Sequence, residues 1–185
     1  MLRAIVLIAA ALAFATPASA YSNPISRGLA DFLNIFSEQP VPRQLVAWNG
    51  KQAPGTVVVS TSQRRLYYVL GQGRAIRYGV GVGRQGFSWS GTKIVSRKRE
   101  WPDWRPPAAM LKRRPDLPRY MAGGMENPLG ARAIYLGSSL YRIHGSNEPD
   151  TIGAAVSSGC IRMTNRDVMD LYDRVRPGTK VIVQR

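Results

Sequence analysis

The chain holds a single histidine and a single cysteine, His144 and Cys160, and the two fall close together. A thiol attacks a carbonyl carbon only as the thiolate, and an imidazole within reach can take its proton. With no other histidine in the chain, any thiol–imidazole couple must be this one. The local sequence suits such chemistry. His144 ends a stretch of strand character, and Gly145 breaks it. Cys160 sits in Ser157-Ser158-Gly159-Cys160-Ile161-Arg162-Met163, where small residues dominate. Small residues let the backbone approach a substrate closely, and consecutive amides there can bind an oxyanion. The bland alternative is a small buried core cysteine and a hydrogen-bonded histidine at a strand end. Composition and spacing alone leave that alternative open.

Other chemistries are excluded by the same counts. One cysteine makes no internal disulfide, so there is no disulfide framework. One Cys and one His cannot build a four-ligand zinc site of the usual kind. No Gly-rich loop of the GxxxxGK[ST] type occurs, which argues against a P-loop nucleotide enzyme. No metal and no cofactor is expected.

The elements that must position the couple can be read from hydrophobic pattern. In 140–144, Leu140, Arg142 and His144 alternate with Tyr141 and Ile143, as on the two faces of a strand. Residues 131–136 form a strand before it, across the Gly137-Ser138-Ser139 turn. After Cys160, Thr164-x-x-Asp167 resembles a capping box opening a helix. Val168, Leu171, Tyr172 and Val175 share one face of that helix, and Pro177-Gly178 ends it. Upstream, residues 56–60, 65–70, 74–82 and 92–101 read as strands, with Gly71-Gln72-Gly73 as a hairpin turn. Pro102, Pro106, Pro107, Pro115 and Pro118 mark 102–118 as an irregular loop. Residues 179–184 form a closing strand. Earlier, Ile25, Leu29, Phe32, Leu33 and Phe36 recur at helical spacing, and Gln39-Pro40-Val41-Pro42 stops that helix. No internal repeat is visible. The expectation is one β-rich domain with a clear helix near residue 170.

Length and composition agree. The 185 residues fit one domain, and 44% hydrophobic with 20% charged is the balance of a folded chain. Met1-Leu2-Arg3, the apolar run 4–15 and Thr16-Pro17-Ala18-Ser19-Ala20 form a secretory signal pattern with cleavage after Ala20. Twelve apolar residues fall short of the roughly 20 that span a bilayer. The expected location is therefore outside the cytoplasm, in the periplasm or cell envelope, with no transmembrane segment in the mature chain. A free thiol kept amid glycines and serines in an exported protein favours function over core filling. Lys and Arg number 26 against 11 Asp and Glu, a net charge of +15. Clusters at Arg97-Lys98-Arg99 and Lys112-Arg113-Arg114 fit an anionic polymer, a membrane surface or a merely solvated face. An exported protein rarely meets nucleic acid, so that partner is not expected.

The residues also carry a family resemblance. His144-Gly145-Ser146 followed by Ser157-Ser158-Gly159-Cys160-Ile161-Arg162-Met163 resembles the signature of the L,D-transpeptidase catalytic domain of the YkuD type. Asn127-Pro128-Leu129-Gly130-Ala131-Arg132-Ala133 and the Trp101-Pro102-x-Trp104-x-Pro106-Pro107 loop resemble segments of the same family. The resemblance implies a mainly β, sandwich-like catalytic domain with a few short helices over 53–185, after a signal peptide at 1–20 and a lead-in at 21–52.

It also implies a reaction. The acyl donor is a peptidoglycan tetrapeptide stem, cut between the L-centre of diaminopimelate and the terminal D-Ala. A thioester acyl-enzyme forms and passes to an amine: that of another stem, giving a 3→3 cross-link, or a lysine of an envelope protein. Hydrolysis uses the same intermediate. Carried over by position, Cys160 is the nucleophile, His144 the general base, and the Gly145 carbonyl orients the ring. Amides near Ser158, Gly159 and Cys160 form the oxyanion hole, and Arg162 supports the site or binds a substrate carboxylate. Tyr120, Met121, Asn127 and Trp104 are expected to contact substrate. One departure stands out: many members have a histidine where this chain has Ser158. That leaves the Cys–His couple whole but keeps a non-catalytic peptidoglycan-binding module as the alternative.

Overall fold

Valine decides the centre of the sheet. Val57–Ser60 (β2) is buried at every position, as expected of a β-branched run covered on both faces. Its neighbours are Arg65–Gly71 (β3), antiparallel, and Lys180–Gln184 (β11), parallel with Val57 opposite Val181. The computed structural model describes residues 40–185. The export signal expected at 1–20 and the helix expected between Ile25 and Phe36 lie outside the described residues.

β3 turns into Arg74–Gly79 (β4) through Gln72 and Gly73, both at positive φ. Two consecutive left-handed residues make the mirror-image turn that matches strand twist. Gln44–Ala47 (β1), inside the expected lead-in, pairs antiparallel with β4 and forms one edge. Beyond β11, Gly91–Glu100 (β6) is long enough to serve two neighbours. Its first half pairs with β11, and its second half pairs with Arg132–Leu136 (β7). The register shifts between them at Ser96, whose hydroxyl donates to Gly137 O at 2.8 Å. Such a bulge bends a strand. β7 pairs with Arg142–His144 (β8), and β8 with Ile161–Arg162 (β10), in parallel. The nine-stranded order is β1-β4-β3-β2-β11-β6-β7-β8-β10.

Two backbone bonds of 2.9 Å join Gly81 to Arg162, tying the β10 edge back to the chain just after β4. Val82–Gly83 (β5) and Ala155–Ser157 (β9) make a second, two-stranded sheet. The large sheet folds over at β6 and encloses one core. Val57, Val59, Leu66 and Tyr78 meet Ile134, Leu136, Ile143 and Ile161 there. The mainly β, sandwich-like expectation agrees with this architecture.

Among the described residues two α-helices accompany the strands. The Pro-rich segment read as irregular contains Ala108–Arg113 (α1). Pro107 presets a helical φ of −58°, the next six residues are all strong helix formers, and Pro115 lies just beyond the end. Asn165–Arg174 (α2) packs on β7 and β8 with Val168 and Leu171 fully buried. Its N-cap is Thr164, whose side chain accepts from the Asp167 amide, as the capping pattern predicts.

Lys98 closes the other end of α2. Its ammonium donates to the carbonyls of Tyr172 and Val175 and lies 3.9 Å from the Tyr172 ring centroid. Arg97 stacks over Tyr135, and Arg99 pairs with Asp103. The basic cluster at 97–99 thus has partners within the fold, rather than forming the merely solvated face that was one expectation. Among the described residues, no helix is long and apolar enough to cross a membrane.

Candidate active site

His144 is fixed by three neighbours. β8 lies between β7 and β10, with Ala133 on one side of His144 and Arg162 on the other. The Met163 amide donates to His144 O at 2.8 Å. The ring is 4% exposed, and its Nδ1 stands 2.6 Å from Gly145 O. A carbonyl only accepts, so Nδ1 carries the proton and Nε2 keeps its lone pair.

That carbonyl is itself held in place. The Gly145 amide donates to Arg132 O at 3.0 Å. Asn165, the first residue of α2, accepts the Ala131 amide on its Oδ1 at 2.8 Å and lies in a slot between Gly130 and Gly145. A Cβ on either glycine would collide with that oxygen. A Cβ on Gly130 would also stand 2.5 Å from Ser146 N and 2.7 Å from the Gly145 carbonyl carbon. Gly130 has φ +61°, a left-handed conformation that favours glycine.

Cys160 comes one residue before β10, at the end of a stapled turn. Ser157 Oγ accepts the Gly159 amide at 3.1 Å and donates to Cys160 O at 2.6 Å. Gly159 takes φ +105°. The Cys160 thiol is partly buried and points to Leu140 O at 3.7 Å. Because Ser157 uses the Gly159 amide, the amides of Ser158 and Cys160 are the better placed to receive an oxyanion.

Cys160, His144, Ser158 and Arg162 line one groove of about 610 Å³. α1 forms part of its wall through Ala109, Met110 and Arg113, with Leu117 beyond. Arg162 is anchored by Glu148 at 2.8 Å. Of the residues expected to meet substrate, Trp104 lines the groove. Met121 backs Trp104 through two reciprocal backbone bonds of 2.8 and 2.9 Å. Tyr120 is exposed, with the Arg105 guanidinium 4.6 Å from its ring. Asn127 is buried and satisfied internally: its amide nitrogen bonds Ala122 O and Pro102 O, and its oxygen accepts the Leu129 amide. Neither Tyr120 nor Asn127 lines the groove.

Burial sets the resting charges. It pushes the imidazole of His144 down to about 3; the Gly145 bond opposes this, while Arg162 and Arg142 add to it. Burial pushes the Cys160 thiol up, against the pull of Arg142 and Arg162. At neutral pH the groove therefore holds a thiol and a neutral imidazole.

Comparison with known proteins places the chain in a family. The family model of the YkuD-type L,D-transpeptidase catalytic domain matches residues 54–183. The chain belongs to the L,D-transpeptidase catalytic-domain family. The probable L,D-transpeptidase ErfK/SrfK of Escherichia coli K12 is 37% identical over 158 residues, covering 78% of this chain and 48% of its own length. The chain spans about half the length of the curated relatives it matches first.

A Brucella melitensis crystal structure described as a probable carnitine operon oxidoreductase is 43% identical, with TM-score 0.54, over 82% of this chain and 98% of that one. The L,D-transpeptidase 3 of Mycobacterium tuberculosis, solved with a faropenem-derived adduct, has TM-score 0.54 at 16% identity over 89% and 87% of the two chains. At that identity the likeness is one of L,D-transpeptidase fold.

Two residues around this groove are not among those expected from the sequence. Arg142 stands beside the thiol, and its shared strand face with His144 was the available signal. Asn165 had none, since its slot is built from glycines far apart in sequence.

The buried imidazole also makes stability pH-dependent. In the unfolded chain His144 titrates near 6.5, and in the folded chain near 3. Between those values the unfolded state binds more protons, so stability falls as pH drops through that window and is unaffected above it. The expected loss between pH 7 and pH 4 is about 3 kcal/mol, read from urea midpoints. His144→Asn is expected to flatten that part of the profile. Equal slopes in the two proteins contradict the assignment.

Proposed function

We propose that this chain is a peptidoglycan L,D-transpeptidase in which Cys160 is the nucleophile and His144 the general base. The observation that carries the reading is the 2.6 Å bond from His144 Nδ1–H to Gly145 O, which leaves Nε2 with its lone pair on a residue that lines the same groove as Cys160. Nε2 takes the thiol proton as Sγ attacks the carbonyl between the L-centre of diaminopimelate and D-Ala. The oxyanion is received by backbone amides, that of Cys160 foremost. On collapse the C–N bond breaks, the imidazolium returns the proton to the departing D-Ala amine, and a thioester remains. An acceptor amine then attacks, loses its proton to Nε2, and frees the thiol.

Arg162, braced by Glu148, supports the loop or meets a stem carboxylate. Trp104 contacts the stem, whereas Met121 and Asn127 hold the groove wall and Tyr120 flanks it. The catalytic domain runs from 53 to 185 behind a lead-in at 21–52, and residues 1–20 direct export to the cell envelope. Peptidoglycan stem peptides are the partners, with envelope proteins as further acceptors.

The oxidoreductase description of the Brucella relative suggests a second reading. Gly81-Val82-Gly83-Arg84-Gln85-Gly86 fits G-x-G-x-x-G formally. That fingerprint works only between a strand and the helix whose N-terminus holds the pyrophosphate. Here it runs through the two-residue β5 towards β6, with no helix following. The transpeptidase reading is the better supported.

Incubation with a disaccharide-tetrapeptide tests it. The expected result is D-alanine release together with a thioester on Cys160 in the intact-protein mass spectrum. Binding to the muropeptide with neither product would make the chain a non-catalytic peptidoglycan-binding module.

A further inference from the structure

Gly159 and Cys160 share one peptide plane, with Gly159 O at one end and the Cys160 N–H at the other. The carbonyl end is gripped from seventy residues away. The indole Nε1–H of Trp89 donates to Gly159 O at 2.8 Å. The indole is a stiff clamp because it is stacked on Tyr141, with centroids 4.5 Å apart and planes 13° off parallel. Lys93 Nζ lies 5.6 Å from the Trp89 ring and 5.7 Å from the Tyr141 ring, a cation shared by both. Tyr141 also crowds Gly159: a Cβ there would stand 2.7 Å from Tyr141 Cε1. The loop carrying Trp89 is anchored in turn, since the Arg84 amide donates to Ser157 O at 3.0 Å and the Phe87 amide to Arg84 O at 2.9 Å.

In a trans peptide the carbonyl and the amide N–H point in opposite directions. Fixing Gly159 O against the indole therefore fixes the direction of the Cys160 N–H. A donor on the carbonyl also polarises the amide and strengthens the N–H as a donor. We propose that Trp89 is a positioning residue that aims the Cys160 amide at the oxyanion formed during acylation. This rests on the reading that Cys160 forms an acyl-enzyme. Trp89 does not line the groove and acts through the Gly159–Cys160 plane. The Tyr141 stack serves the same end by stopping the indole from swinging away.

Two reactions of one thiol separate this role from a general structural one. Acylation by faropenem builds an oxyanion at the attacked carbonyl, whereas alkylation by iodoacetamide displaces iodide and builds none. Trp89→Phe removes the N–H and keeps a ring to stack on Tyr141. Acylation, followed by intact-protein mass spectrometry, is expected to slow roughly 10- to 100-fold, with the alkylation rate unchanged. Should Trp89→Phe fail to fold, benzothienylalanine at position 89 replaces only the N–H by sulfur and carries the same expectation. Acylation at the wild-type rate in the folded variant overturns the proposal. So does a parallel fall in both rates, which means that the nucleophile itself has moved. If wild-type Cys160 is alkylated but never acylated, the transpeptidase reading falls and this one with it, a pattern distinct from either.

Discussion

Cys160→Ala is expected to abolish D-alanine release from a tetrapeptide stem, by roughly 10⁴-fold or more, and to leave the fold intact. No other group can take over: this is the only cysteine in the chain, and the remaining couple partner is a base without a nucleophile. Stability barely changes because the thiol contributes little. It is partly buried, and its S–H contact to Leu140 O is a weak one of 3.7 Å. Thermal melting together with D-alanine release checks both halves. The Ala variant should still bind muropeptide, since the groove walls are unchanged. Turnover surviving in that variant would sink the assignment of Cys160.

Gly130→Ala is expected to cost about 3 kcal/mol of stability or more and to slow acylation, while Gly137→Ala costs about 1 kcal/mol and leaves the chemistry alone. The pair is a matched control. Gly130 has φ +61° and Gly137 φ +60°, so both variants pay the same left-handed strain. Around Gly137 a new Cβ meets nothing within 4 Å. Around Gly130 it meets Asn165 Oδ1, the Ser146 amide and the Gly145 carbonyl carbon. Relief requires moving the peptide that orients His144, so a stability defect and a catalytic defect appear together. Urea denaturation and faropenem acylation read the two effects. Equal destabilisation by both substitutions would mean that crowding at Gly130 is relieved without cost.

Local signals in the sequence carried far. The β3–β4 hairpin, the strand ending at His144 and the Thr164 cap are governed by residues close together in the chain, and each forms as its pattern predicts. The thiol and imidazole were legible because each type occurs once. What stayed hidden depends on distant pairing. Residues 179–184 read as a closing strand, yet β11 lies inside the sheet between β2 and β6. The proline count masked α1, although the residues between Pro107 and Pro115 favour a helix. Asn127 sits in a segment that resembles the family, but its burial and its three backbone carbonyl partners become visible only when the loops from 102 and 121 converge on it. Trp89 shows no chemistry in one dimension, because its partner carbonyl is set by the fold.

The inner position of β11 bears on how the chain is made. Val57, Val58 and Val59 end fully buried, but the strand that completes their pairing is drawn from residues 180–184. A ribosome releases β2, β3 and β4 well before it releases β11. Until then β2 offers an open row of amides and carbonyls beside three valines, the kind of edge that recruits another chain. Closing it demands a contact of very high sequence separation, which places this protein among slow folders. Holding the nascent chain unfolded until residue 184 has emerged protects that edge.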